Sequence, residues 1–161
     1  MARARKRPRV VIVASRFNEP VTRALVRGAR ARLRRAGFSD GAVSEVWVPG
    51  AFELPLAASV AAARQPDAIV AVGCLIKGQT PQYEAIGQAV ANGLMQVSVA
   101  HRVPVGFGVI IADSVAQAKA RAGLPAPRGA YIRKARQAGG TIVNRGEEAA
   151  AAALEMRTLI P

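Results

Sequence analysis

Aromatic side chains are scarce, 4% of 161 residues, although 51% of the chain is hydrophobic. The interior must therefore be built from alanine, valine, leucine and isoleucine, and the length suits one compact domain spanning 1–161. Cysteine occurs once, at Cys74, which excludes an internal disulfide. No apolar run approaches the roughly 20 residues that span a bilayer. The basic start, "MARARKRPRVVIVA", runs directly into polar "SRFNE" without a small-residue cleavage pattern, so a cytoplasmic location is expected. Acidic residues are few, 10 against 23 Lys and Arg, giving a net charge of +13. The basic residues are scattered and no aromatics interleave with them to stack bases, which speaks against a specific nucleic-acid reader.

Within this frame the apolar residues fall into short blocks. "RVVIVA" at 9–14, "AVSEVWV" at 42–48, "AIVAVG" at 68–73 and "VPVGFGVII" at 103–111 read as strands, the first a continuous β-branched run of the sort buried on both faces of a parallel sheet. Between them lie helices. Pro20 fits a first turn, with Val21, Leu25, Ala29, Leu33 and Ala36 on one face before Gly37 ends the helix. A second helix is expected from about Phe52 to Arg64, and a third from Pro81 to about His101 with Tyr83, Ile86, Val90, Leu94 and Val97 on its apolar stripe. Asp113 or Ser114 would cap a short helix to Ala122, and an alanine-rich helix occupies 147–159. Residues 1–8 form a basic arm, and 123–143, rich in Gly, Pro and basic residues, form an extended loop or insertion.

Alternating strands and helices predict an α/β fold, a three-layer sandwich with a four-stranded parallel sheet and right-handed crossovers. All strand-to-helix loops then meet at the carboxyl edge, where such folds bind ligands. That edge collects Ser15 to Asn18, Pro49 to Glu53, Cys74 to Gln82, and Ala112-Asp113. Phe17 either packs under a neighbouring loop or offers a stacking face to a flat heterocycle. Glu53 is favoured in a first helical turn by the helix dipole, and equally could accept hydrogen bonds from ligand hydroxyls. "GQT" at 78–80 precedes a helix N-terminus, an arrangement that receives phosphate. His101 falls away from this edge, Cys74 is expected to pack rather than react, and Tyr83 is expected in the core. Glu84 and Glu148 either orient nearby cations or are solvated.

The series "RFN", "VPGAFELP", "DAIVAVGCLIKGQTPQYE", "GLMQVSV", "VPVGFGVI" and "NRGEEAAAAALEM", in that order, resembles the lumazine synthase family over most of the chain. The resemblance implies a flavodoxin-like fold and a transferase of riboflavin biosynthesis. It would condense 5-amino-6-ribitylaminouracil with 3,4-dihydroxy-2-butanone 4-phosphate, without metal or organic cofactor. It also implies homo-oligomers built from pentamers, up to icosahedral shells, with sites shared between subunits. On the matching motifs, Phe17 would stack on the pyrimidine, with Ala51, Phe52 and Glu53 along the ribityl chain. Leu75, Ile76 and Lys77 would border the ring, and Gln79 and Thr80 would meet the phosphate. Phe107 and Arg121 would come from a neighbouring subunit, Arg121 to pair with phosphate as a planar guanidinium can.

The chain departs from the family in three places. Gln82 stands where the family has a histidine thought to shuttle protons, and an amide side chain has no pKa near neutrality. The segment 123–143 is longer than its family counterpart, making Arg136 a rival to Arg121. The N-terminal arm is short and arginine-rich. Apart from these three, Arg145 occupies a position where the family usually has lysine. The alternative to an enzyme is a weakly active or inactive shell-forming homologue that binds a flavin, lumazine or related pyrimidine.

Overall fold

A computed structural model describes residues 9–125 and 144–160. The basic arm 1–8, most of the expected 123–143 loop and Arg136 lie outside the described residues.

Four strands, β1 (Val10–Ser15), β2 (Val43–Val48), β3 (Ala68–Ile76) and β4 (Val105–Ala112), form one parallel sheet in the order β2-β1-β3-β4. The helices are α1 (Glu19–Arg35), α2 (Leu54–Ala62), α3 (Gln82–His101), α4 (Val115–Arg121) and α5 (Arg145–Arg157). From β1 the chain steps outward to edge strand β2, then returns past β1 to β3. The order therefore reverses between β1 and β3, and their carboxyl ends diverge into a crevice. This switch point positions the site.

The period of two along β1 sends Ile12 and Val13 to opposite faces. Ile12 joins Val70 and Val72 beneath Leu25 and Leu33 of α1 and Ala149 and Ala150 of α5. Val13 joins Ile69 and Ala71 beneath Leu54 and Ala58 of α2 and Val90 and Leu94 of α3. Each fully buried leucine contributes about 2 kcal/mol of transfer free energy, so the aliphatic blocks suffice without aromatic filling.

Several boundaries differ from the sequence reading for identifiable reasons. Ala36 is exposed because α1 ends at Arg35; Gly37, at φ +90°, turns the chain so that the Phe38 N–H reaches the Leu33 carbonyl at 3.1 Å. β3 continues to Ile76 because β4 pairs with it through Ile76↔Ala112, so Leu75 and Ile76 are strand residues. A 3-10 turn, Ala51–Glu53, precedes α2, which starts at Leu54. α5 starts at Arg145, two residues early, because Asn144 caps it: its Oδ1 accepts from Gly146 N at 2.9 Å and Glu147 N at 3.2 Å. The Asn144 amide also donates to the carbonyls of Ala24 at 2.9 Å and Ala122 at 2.8 Å, joining three helices. Among the described residues no helix is long and apolar enough to cross a membrane.

Candidate active site

A pocket of about 370 Å³ opens at the switch point. Its first wall comes from the turn after β1. Arg16 N donates to Val48 O at 2.8 Å and Phe17 N to Pro49 O at 3.1 Å, which carries the β1–β2 ladder beyond the strands. Asn18 adopts the left-handed region at φ 57°, and its Nδ2 donates to Cys74 O at 2.9 Å. The loop is thus held to both neighbouring strands, and Phe17 is left 69% exposed at the mouth. Among the described residues no loop covers Phe17.

The second wall is the turn after β2. Ala51 is buried, while Phe52 is 65% exposed and presents a second phenyl group. The Glu53 carboxylate accepts from Gly50 N at 2.9 Å through Oε2, which closes the Pro49-Gly50 turn and orients the side chain toward the pocket. One oxygen is engaged by backbone, leaving acceptor capacity for hydroxyl donors.

Leu75 and Ile76 line the floor at the end of β3, with Tyr83 and Ile86 rising from α3. Lys77 N donates to Ala112 O at 2.8 Å, after which the chain leaves the sheet and Gly78 and Thr80 reach the pocket. Pro81 supplies no side-chain cap to α3. Glu84 N and Ala85 N donate to Pro81 O at 3.1 and 3.4 Å, so the amides of Gln82 and Tyr83 are the ones left open to an anionic ligand. Gln82 is the first residue of α3, exposed and in the lining.

Of the residues singled out from sequence, Phe17, Ala51, Phe52, Glu53, Leu75, Ile76, Thr80 and Gln82 converge on this pocket. Lys77 and Gln79 are exposed and stand outside its lining. Phe107, half-way along edge strand β4, faces a separate groove beside Arg145, Glu148 and Met156. Arg121, the last residue of α4, also lies outside the pocket. Arg145 Nη1 meets Glu148 Oε2 at 2.7 Å, so Glu148 holds a cation.

Tyr83 and Ile86 were missed as pocket residues. Both lie on the apolar stripe of α3, and the signal available was position: within one turn of Gln82 that stripe emerges from the core into the crevice. Tyr83 is both core and wall. Its hydroxyl donates toward Glu84 Oε1 at 2.9 Å and Asp113 Oδ1 at 3.3 Å. The hydrogen bond to Glu84, burial and the two negative charges push the phenol up to about 12.

Cys74 faces the core on the α1 side of the sheet, and burial raises its thiol to about 12, so it packs rather than reacts. His101 closes α3 at the opposite end from the pocket, its Nε2 3.4 Å from Ser59 Oγ. Glu53 is thus the one carboxylate in the described lining, flanked by two phenyl groups and a row of backbone donors. The arrangement suits a flat polar ring bearing hydroxyls, next to an anion.

The chain matches the family model described as 6,7-dimethyl-8-ribityllumazine synthase over residues 7–160. It is 43% identical over 153 residues to the 6,7-dimethyl-8-ribityllumazine synthase of Xanthomonas campestris pv. campestris (strain B100), covering 94% of this chain and 89% of the relative. Identity to the protein of the same name from Xanthomonas euvesicatoria pv. vesicatoria (strain 85-10) is 41% over the same shares. With the parallel sheet, the switch-point pocket and these matches in hand, the chain belongs to the 6,7-dimethyl-8-ribityllumazine synthase family.

Proposed function

We propose that this protein is a transferase that condenses 5-amino-6-ribitylaminouracil with 3,4-dihydroxy-2-butanone 4-phosphate to 6,7-dimethyl-8-ribityllumazine, releasing phosphate and water. The convergence of Phe17, Glu53, Thr80 and Gln82 on one pocket carries this reading. Phe17 stacks on the pyrimidine and Leu75 and Ile76 border its edge. Ala51 and Phe52 flank the ribityl chain, whose hydroxyls donate to Glu53. The phosphate is received by the Gly78 to Thr80 turn and the first amides of α3, with the Thr80 hydroxyl donating and Gln79 and Lys77 at the rim.

Amine addition to the ketone and loss of water give an imine; elimination of phosphate leaves an enol that tautomerises to a second carbonyl, to which the second nitrogen adds, and loss of a second water completes the ring. Each step moves protons, yet the Gln82 amide can only donate or accept hydrogen bonds. It orients the reacting groups, and solvent or the departing phosphate carries the protons. Holding two reactants in register can supply an effective molarity of roughly 10⁵ M or more, so turnover persists without a titrating side chain.

The site is completed by a second copy of the chain, with Phe107 covering the heterocycle and Arg121, or its rival Arg136, pairing with phosphate. Two observations support a homo-oligomer, for which the family resemblance suggests the pentameric kind. Phe107 is 40% exposed and outside its own chain's pocket, and Leu56, Val60, Met95 and Val99 leave apolar surface uncovered on α2 and α3. A cytoplasmic location and independence from organic cofactors and metal ions belong to the same reading.

Gln82 favours a second reading, a homologue that binds the pyrimidine or product but turns over little. Steady-state condensation assays decide between them. Saturable turnover above the uncatalysed rate supports the enzyme; tight lumazine binding without it supports the binder.

A further inference from the structure

The Tyr83 hydroxyl has two acceptors on different elements. Glu84 belongs to the same helix, so a bond to it leaves α3 unattached. Asp113 belongs to the turn between β4 and α4, and a bond to it fastens the first turn of α3 across to the next unit. That turn is itself well held: Asp113 N donates to Gln117 Oε1 at 2.8 Å, and Gln117 N donates to Ser114 Oγ at 3.2 Å. One turn further along α3 the packing is also close, because a Cβ on Gly87 would meet Ile111 Cδ1 at 2.5 Å. The open segment Gly78 to Pro81 is therefore suspended between two attachments. One is the Lys77–Ala112 ladder bond and the other is the Tyr83 clasp.

We propose that Tyr83 is a positioning residue for the anionic substrate, its hydroxyl clasping the N-terminus of α3 to Asp113 so that the Gly78 to Thr80 turn keeps the shape that receives phosphate. This rests on the phosphate assignment above. The single phenolic proton is shared: Glu84 competes for it, and Asp113 makes the structural bond. The Tyr83 ring stays in the pocket wall whether or not the hydroxyl is present, so the two roles of the residue are separable.

The test compares the full-length Tyr83→Phe, Asp113→Ala, Asp113→Asn and Glu84→Ala variants by amide hydrogen exchange over residues 77–86, by inorganic phosphate binding, and by kinetics with each substrate varied. Tyr83→Phe and Asp113→Ala should each speed exchange at Glu84 and Ala85, whose amides donate to Pro81 O at 3.1 and 3.4 Å, about tenfold, the scale of a lost hydrogen bond to a charged group. Both should weaken phosphate binding and raise KM for the phosphorylated butanone by a similar factor, with kcat and KM for the pyrimidine within about twofold. Asp113→Asn keeps an accepting oxygen and should restore near-native values. Glu84→Ala leaves the proton to Asp113 and should not loosen the turn. Unchanged exchange and phosphate affinity in Tyr83→Phe, or loosening by Glu84→Ala alone, would overturn the clasp. A wild-type protein without condensation activity would instead overturn the proposed function, while exchange and phosphate binding would still decide the clasp.

Discussion

Asn18 Nδ2 lies 2.9 Å from the carbonyl oxygen of Cys74, a bond from the turn after β1 to the strand that forms the pocket floor. It sets the separation between Phe17 and Leu75, the two sides of the slot proposed for the pyrimidine. Asn18 does so from φ 57°, a conformation asparagine tolerates better than most residues. Asn18→Gly should keep the backbone and lose the bond, raising KM for the pyrimidine several-fold with little change for the second substrate. Asn18→Ala adds backbone strain and should lower stability further, by about 1–2 kcal/mol, measured by urea unfolding.

Gln82→His should introduce a group titrating near pH ~6.5 beside the reacting atoms. General acid–base help is commonly worth roughly 10² to 10⁴, so a gain in kcat of at least tenfold is expected, with a new pH dependence between about 5.5 and 7.5. Wild-type kcat should lack this added dependence and follow only the substrate phosphate, whose second ionisation lies near pH ~6. An unchanged rate in the variant would mean that the site no longer places a base against the substrate.

The Cys74 thiol is held neutral by burial, raised from 9.0 to about 12. A group whose proton is retained more tightly in the folded state contributes stability that is whole below pH 9 and is lost as pH rises from 9 toward 12. Chemical denaturation at pH 8 to 11 should show this decline, and Cys74→Ala should flatten it. Tyr83, pushed up from 10.0, contributes in the upper part of the same range and accounts for the slope that remains. The native thiol should also resist alkylation at pH 8.

Two glycines record the contact of α5 with the body of the protein. A Cβ on Gly146 would stand 2.0 Å from Leu25 O, and one on Gly106 would stand 2.1 Å from Ala149 O. Backbone cannot yield as a side-chain tip does. Gly146→Ala should cost about 3 kcal/mol or prevent folding, whereas Gly41→Ala, with nothing within 4 Å, should shift stability by no more than about 0.5 kcal/mol.

Much of the fold was legible because it is written in local periodicity. The unbroken apolar run of β3 and the four-residue rhythm of Val21, Leu25, Ala29 and Leu33 name their elements without reference to the rest of the chain. Boundaries set by partners were not legible. β3 gains Cys74, Leu75 and Ile76 only because β4 lies alongside, and α5 starts early because Asn144 finds carbonyls on two other helices.

The same division runs through the site. By itself the sequence determined four loops at one sheet edge, and among them the phenyl groups, the carboxylate and the turn before α3, since strand-helix alternation fixes on which edge such loops emerge. Tertiary structure alone decided that these loops enclose a pocket between β1 and β3, that Tyr83 and Ile86 belong to its wall, and that Phe107 and Arg121 do not reach it within one chain. Strand order and helix packing depend on contacts between residues far apart in sequence, and no local pattern encodes their distances.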